Sequence, residues 1–133
     1  MKNTAIEIAY IIDSSSLVNI LFVDEITDDQ LQRVFKQFEC NTIELYAPNL
    51  LKDELTNVLK SAVRRKRATE QDVLVILEKF LRLPIVYSAV NYRSVLEVAL
   101  RENISAYDAE YIVLSRQLKA PLLTLDKRLS GLV

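Results

Sequence analysis

The spacing of apolar residues changes along the chain, and each change marks an element. Residues 6–12, IEIAYII, mix alternation with a β-branched apolar end, which predicts a first strand closed by DSSS. Serines cap a short helix from Ser14 to Phe22. A second helix over 27–39, TDDQLQRVFKQFE, starts acidic and carries Leu31, Val34, Phe35 and Phe38 on one face. TIELYA (42–47) reads as a short strand. Pro48 and Asn49 then open a long helix over 49–67, whose basic end suits the negative pole of the helix dipole. Another helix spans 68–83, with Thr69 and Asp72 at capping-box spacing. PIVYSAV (84–90) predicts a third strand, 91–103 and 105–119 two more helices, and PLLTLD (121–126) a last strand. Strands alternating with helices predict an α/β fold in which helices cover both faces of a mainly parallel central sheet of four to five strands, three layers in all. No linker or repeat divides residues 1–133, which read as a single domain.

Composition narrows the chemistry. The chain has no histidine, which excludes Ser-His and Cys-His nucleophile pairs and the usual zinc sets and leaves carboxylates to do any catalysis. One cysteine, Cys40, forbids an internal disulfide and reads as a small apolar filler. A single glycine, Gly131, leaves no Gly-rich phosphate loop. With 17 basic and 18 acidic residues, the net charge of −1 gives no global pull toward nucleic acid or membrane, so a polyanion site must be local. No run approaches the roughly 18 apolar residues of a membrane span, and no apolar leader ends in a cleavage site, so a cytoplasmic protein is expected.

Several carboxylates stand where apolar residues are expected. Asp13 and Asp126 follow strands, the place where open α/β sheets bind ligands; either also suits a turn or a helix N-cap. Glu54 projects between Leu50 and Val58, inside the stripe of Leu51, Leu55 and Leu59. An unpaired carboxylate there costs several kcal/mol or more, so Glu54 pairs with a cation, bends out to water or serves a function. Asp108 lies opposite Glu110 and Gln117, which mark a polar side, and beside Tyr111, Ile112 and Ser115. With Ser105 it also has capping-box spacing. Four acids converging on one cleft repel one another unless a cation joins them. Oxygen-only ligation suits Mg²⁺ or Mn²⁺, and the matching chemistry is phosphodiester hydrolysis with a metal-activated water.

The stretches YIIDSSSLVNILF, APNLLKDELTNVLKSAVRR and ISAYDAEYIVLSRQLKAPLLTLDKRL, in this order and spanning about Ile8 to Leu129, resemble the PIN domain, most closely the VapC-type toxin ribonucleases of toxin-antitoxin pairs. The resemblance implies a PIN-like α/β/α domain and an endoribonuclease. Asp13, Glu54, Asp108 and Asp126 would be the catalytic acids and the ligands of one or two Mg²⁺ or Mn²⁺ ions. Cleavage of RNA would leave a 5′-phosphate and a 3′-hydroxyl. Asn57 completes the E-x-x-N of the third helix. Ser15 and Thr124 match hydroxyl positions that support the first and last acids, and Thr124 is placed to orient Asp126. A homodimer and a small antitoxin protein, whose tail fills the acidic cleft, are the implied partners beside RNA. The glycine that often precedes the YDA helix is absent, and Asn103 can take the left-handed cap in its place.

Other features keep two readings. Arg64, Arg65, Lys66 and Arg67 hold RNA phosphates or form a solvated helix end. Tyr87, Tyr92, Tyr107 and Tyr111 stack on bases, or Tyr107 and Tyr111 make a core or dimer contact. A phosphoacceptor receiver domain has similar length but needs an acidic pair after the first strand, where this chain has Ser14 and Ser15. A non-catalytic RNA- or protein-binding module on the same fold is the remaining alternative.

Overall fold

The computed structural model describes residues 8–22 and 28–133. Within them the chain runs β1 (Ile8–Ile12), α1 (Ser14–Leu21), α2 (Asp29–Glu39), β2 (Ile43–Pro48), α3 (Leu50–Arg64), α4 (Glu70–Arg82), β3 (Val86–Ser88), α5 (Tyr92–Glu102), α6 (Ala106–Leu118), β4 (Leu122–Leu123) and α7 (Lys127–Ser130). The expected residues 6, 7 and 27 of the first strand and second helix lie outside the described residues.

All four strands are parallel, in the order β3-β2-β1-β4. The chain steps from β1 to β2 to β3 in one direction and then returns past β1 to β4. Right-handed crossovers therefore place α1–α4 on one face and α5 and α6 on the other. The packing agrees, since α1 meets α2 and α3, α3 meets α4, and α5 meets α6. Ile11 and Ile12 of central β1 are both fully buried although they point to opposite faces, as a sheet covered on both sides requires.

The helices follow their sequence signals. Asp28 caps α2 through Leu31 N–H, and Leu31, Val34 and Phe38 are buried with Phe35 packed against them. Thr69 and Asp72 form both bonds of the capping box at α4. Asn103 closes α5 at φ 54°, ψ 49°, the left-handed cap expected of it.

Several boundaries differ from the expectation. Asn49 precedes α3 without a side-chain cap, and Pro48 belongs to β2. That helix stops at Arg64 with Arg65 as its C-cap, and Lys66 turns left-handed, so of the basic run only Arg64 lies in the helix and the rest caps or follows it. β3 spans only Val86–Ser88 as an edge strand paired to β2 alone. β4 ends at Leu123 because the next donors go elsewhere: Leu125 N–H bonds to Ser15 Oγ and Asp126 N–H to Thr124 Oγ1. Cys40 is exposed rather than a core filler, because it sits at the solvated C-terminal end of α2, before Asn41 at positive φ.

Candidate active site

Asp13 leaves β1 and enters α1 as its N-cap, so the turn-or-cap reading and the strand-end reading are both true of it. Its carboxylate is 5% exposed and held from three directions. Oδ1 accepts from Ser15 Oγ at 2.8 Å and from Ser16 N–H at 3.0 Å, while Oδ2 accepts the Thr124 hydroxyl across the sheet. Burial pushes this carboxyl above its usual range, and the three donors hold part of that rise back. Thr124 was expected to orient Asp126 with its hydroxyl. It reaches the first acid instead and takes only the backbone N–H of Asp126, because β1 and β4 are adjacent and parallel at this edge. Ser15 supports Asp13 as expected.

Glu54 does turn inward from α3, half-buried beside Leu51 and Leu55. Its partner is neither Lys nor Arg but the Tyr111 hydroxyl of α6, which donates to Oε1 at 2.7 Å. Tyr111 is fully buried; of the two readings of Tyr107 and Tyr111, Tyr111 belongs to the core, whereas Tyr107 is exposed. Helices from opposite faces of the sheet thus meet over its carboxyl edge. Burial raises the Glu54 carboxyl, the tyrosine bond lowers it, and the charges of Asp108, Asp13 and Glu110 raise it further. Tyr111 is in turn pushed far above the ordinary tyrosine range, first by burial and then by Glu54.

Asp108 stands in the first turn of α6. Ser105 Oγ accepts its N–H at 3.0 Å, and this is the only half of the expected capping box that forms, which leaves the carboxylate free to face the site. Asp126 caps α7, and its carboxyl is held low, chiefly by Arg128. The Arg128 guanidinium lies 3.0 Å from Asp126 and 3.3 Å from Asp108. Glu110, expected on the polar side of α6, is half-buried, and its charge bears on Glu54 and Tyr111; α6 lies against both the sheet and α5, so little of it faces solvent.

The remaining expected residues lie apart from these contacts. Asn57 is exposed one turn after Glu54, with no hydrogen bond to it among the described residues. Arg65 and Arg67 line a groove with Asn57, Val58, Val18 and Phe22, between α3 and α1. Tyr87 lies under Lys52, whose ammonium is 4.3 Å from the ring centre, and Tyr92 is exposed on α5.

The donor set is oxygen throughout, and Glu54 feels two of the other three acids as like charges, so a hard divalent cation fits the chemistry of the cluster. No three of these acids form a ready ligand cage among the described residues. Asp13 is fixed by hydroxyls and a backbone N–H, whereas Asp108 and Asp126 share the largely exposed Arg128 side chain.

A four-stranded parallel sheet in the order β3-β2-β1-β4 with helices on both faces is a fold of one recognisable kind. The chain belongs to the PIN domain family, whose profile matches residues 10–132. It is homologous, at modest identity, to VapC toxin ribonucleases. Ribonuclease VapC3 of Pyrobaculum aerophilum is 28% identical over 124 residues, covering 90% of this chain and 91% of that protein. Ribonuclease VapC9 of Mycobacterium tuberculosis is 34% identical over 88 residues, covering 65% of this chain and 68% of that one. Among solved structures, PAE2754 from Pyrobaculum aerophilum superposes with a TM-score of 0.72 at 20% identity, covering 95% of this chain and 80% of that one. VapC20 of Mycobacterium tuberculosis, a sarcin-ricin loop cleaving toxin, gives 0.62 at 14% identity, with 93% and 96% covered. No helix among the described residues is long and apolar enough to cross a membrane.

Proposed function

We propose that this chain is a Mg²⁺- or Mn²⁺-dependent endoribonuclease, the toxin of a toxin-antitoxin pair, acting as one domain. The observation that carries this reading is the set of bonds that tie acids from separate elements together at one sheet edge: Thr124 to Asp13, Tyr111 of α6 to Glu54 of α3, and Arg128 to both Asp108 and Asp126. Asp13, Glu54, Asp108 and Asp126 would hold one or two ions. When bound, such an ion acts as a Lewis acid toward the scissile phosphate and lowers the pKa of water.

The chain's own part is to hold those oxygens still. Ser15, Ser16 N–H and Thr124 fix Asp13 at the end of β1, and Tyr111 fixes Glu54 from the opposite layer. Such fixed supporting bonds are what orient ligating carboxylates. The exposed end of α3 and the turn after it, with Arg64, Arg65, Lys66 and Arg67, supply cations for RNA phosphates beside the groove that Arg65 and Arg67 line with Asn57. Exposed apolar side chains on α5 (Tyr92, Leu96, Leu100) and α4 (Leu74, Val75, Leu81) offer faces for a second copy of the chain and for an antitoxin.

Purified wild-type protein with Mn²⁺ is expected to cut RNA and leave 5′-phosphate ends, and Asp13→Asn and Glu54→Gln to lose this by about a hundredfold or more. Full cleavage by Asp13→Asn would remove the assignment. The binding-module reading has one observation in its favour, since Arg128 pairs with both Asp108 and Asp126 and so offsets part of the cluster's negative charge. RNA affinity that persists in EDTA, with no cleavage under any divalent ion, would favour it.

A further inference from the structure

The acid cluster already contains a cation of its own. Arg128 lies in α7, and a single nitrogen, Nη2, reaches both Asp126 Oδ2 at 3.0 Å and Asp108 Oδ2 at 3.3 Å. The two carboxylates come from different elements, one from the loop after β4 and one from the first turn of α6. The other described ion pairs, Arg82–Glu78, Arg93–Glu97 and Arg101–Glu102, each join neighbours on one helix. The Arg128 side chain is 65% exposed, so charge rather than packing holds it in place. Its backbone N–H separately donates to Asp126 Oδ1 at 2.9 Å, a bond that survives any change of side chain.

We propose that Arg128 is a built-in counter-cation, which holds Asp108 and Asp126 and must release their oxygens before a divalent ion can use them. The inference rests on the reading of these acids as a metal site. A guanidinium and a hard divalent ion compete for the same Oδ2 atoms, and the positive charge left nearby also repels the incoming ion. The exposed side chain can swing into solvent, while Asp126 stays anchored through Oδ1 as the cap of α7. Arg128 therefore sets how much free cation is needed to load the site. It is a positioning residue that acts on the ligands rather than on RNA.

Calorimetric titration of Mn²⁺ into wild type, Arg128→Gln and Arg128→Lys tests this without any measurement of cleavage. Arg128→Gln is expected to bind Mn²⁺ on the order of tenfold more tightly, the effect of removing one nearby charge at a half-exposed site, and Arg128→Lys to stay near wild type. Equal or weaker binding by Arg128→Gln would overturn the inference while leaving the metal site standing. Failure of all three proteins to bind Mn²⁺ would overturn the metal-site reading, and the inference with it.

Discussion

Asp13, Glu54 and Glu110 are the acids that burial lifts above their ordinary values of 3.8 for aspartate and 4.5 for glutamate. Between those values and the raised ones, the folded chain binds more protons than the unfolded chain. Their contribution to stability is therefore present at low pH and lost as pH rises through the folded values. Melting temperature in EDTA is expected to fall as pH is raised from the ordinary carboxylate range toward neutrality, and an Asp13→Asn, Glu54→Gln double variant to flatten that slope. A flat wild-type profile would contradict the burial argument. Asp126 works the other way below 3.8, but weakly, because it and Arg128 are in reach of water. Tyr111→Phe removes only the hydroxyl on Glu54. It is expected to cost about 1 kcal/mol in urea unfolding and to weaken Mn²⁺ binding, whereas a purely structural tyrosine would leave metal affinity unchanged. The four acids were legible in sequence because strand ends and helix faces have local periods. The Tyr111 hydroxyl on Glu54 and the Thr124 hydroxyl on Asp13 join residues 57 and 111 positions apart, and no local pattern encodes such pairings.

At the scale of elements, helix caps transferred in part: Thr69 with Asp72 and Asn103 cap as read, whereas Asp13 rather than a serine caps α1 and Asn49 makes no side-chain cap at α3. The Ser105 box is instructive because only its serine half forms, and the other half would have tied up the Asp108 carboxylate. Strand lengths transferred poorly. The apolar run of PLLTLD continues past the ladder, which ends after Leu123 because hydroxyls from Ser15 and Thr124 take the next backbone donors. Sequence spacing cannot see that competition. The end of α5 gives a direct check on the glycine replacement. Asn103→Gly is expected to keep or slightly raise the urea midpoint, while Asn103→Val should lose about 1–2 kcal/mol, because a β-branched residue is strained at φ 54°.

For the whole molecule, the two layers of helices differ in what they leave uncovered. On α5, Tyr92, Leu96 and Leu100 recur every four residues, and Leu100 is 74% exposed. If that face carries the proposed homodimer, a Leu96→Glu, Leu100→Glu variant should sediment as a folded monomer at concentrations where wild type is a dimer. Unchanged mass in both would move the search to α4. Fold class and element order were readable at this scale because alternation of strand and helix fixes a parallel sheet, whereas association depends on a partner whose shape the chain does not contain. The left-handed turns are spread just as widely: Asn41, Lys66, Asn103 and Lys119 all have positive φ, while the only glycine, Gly131, sits at −74°. An L-residue in that region costs roughly 1–2 kcal/mol. Asn41 and Lys119 follow α2 and α6 and touch none of the acids, so heat tolerance in this chain can be engineered by glycine substitution there without altering its chemistry.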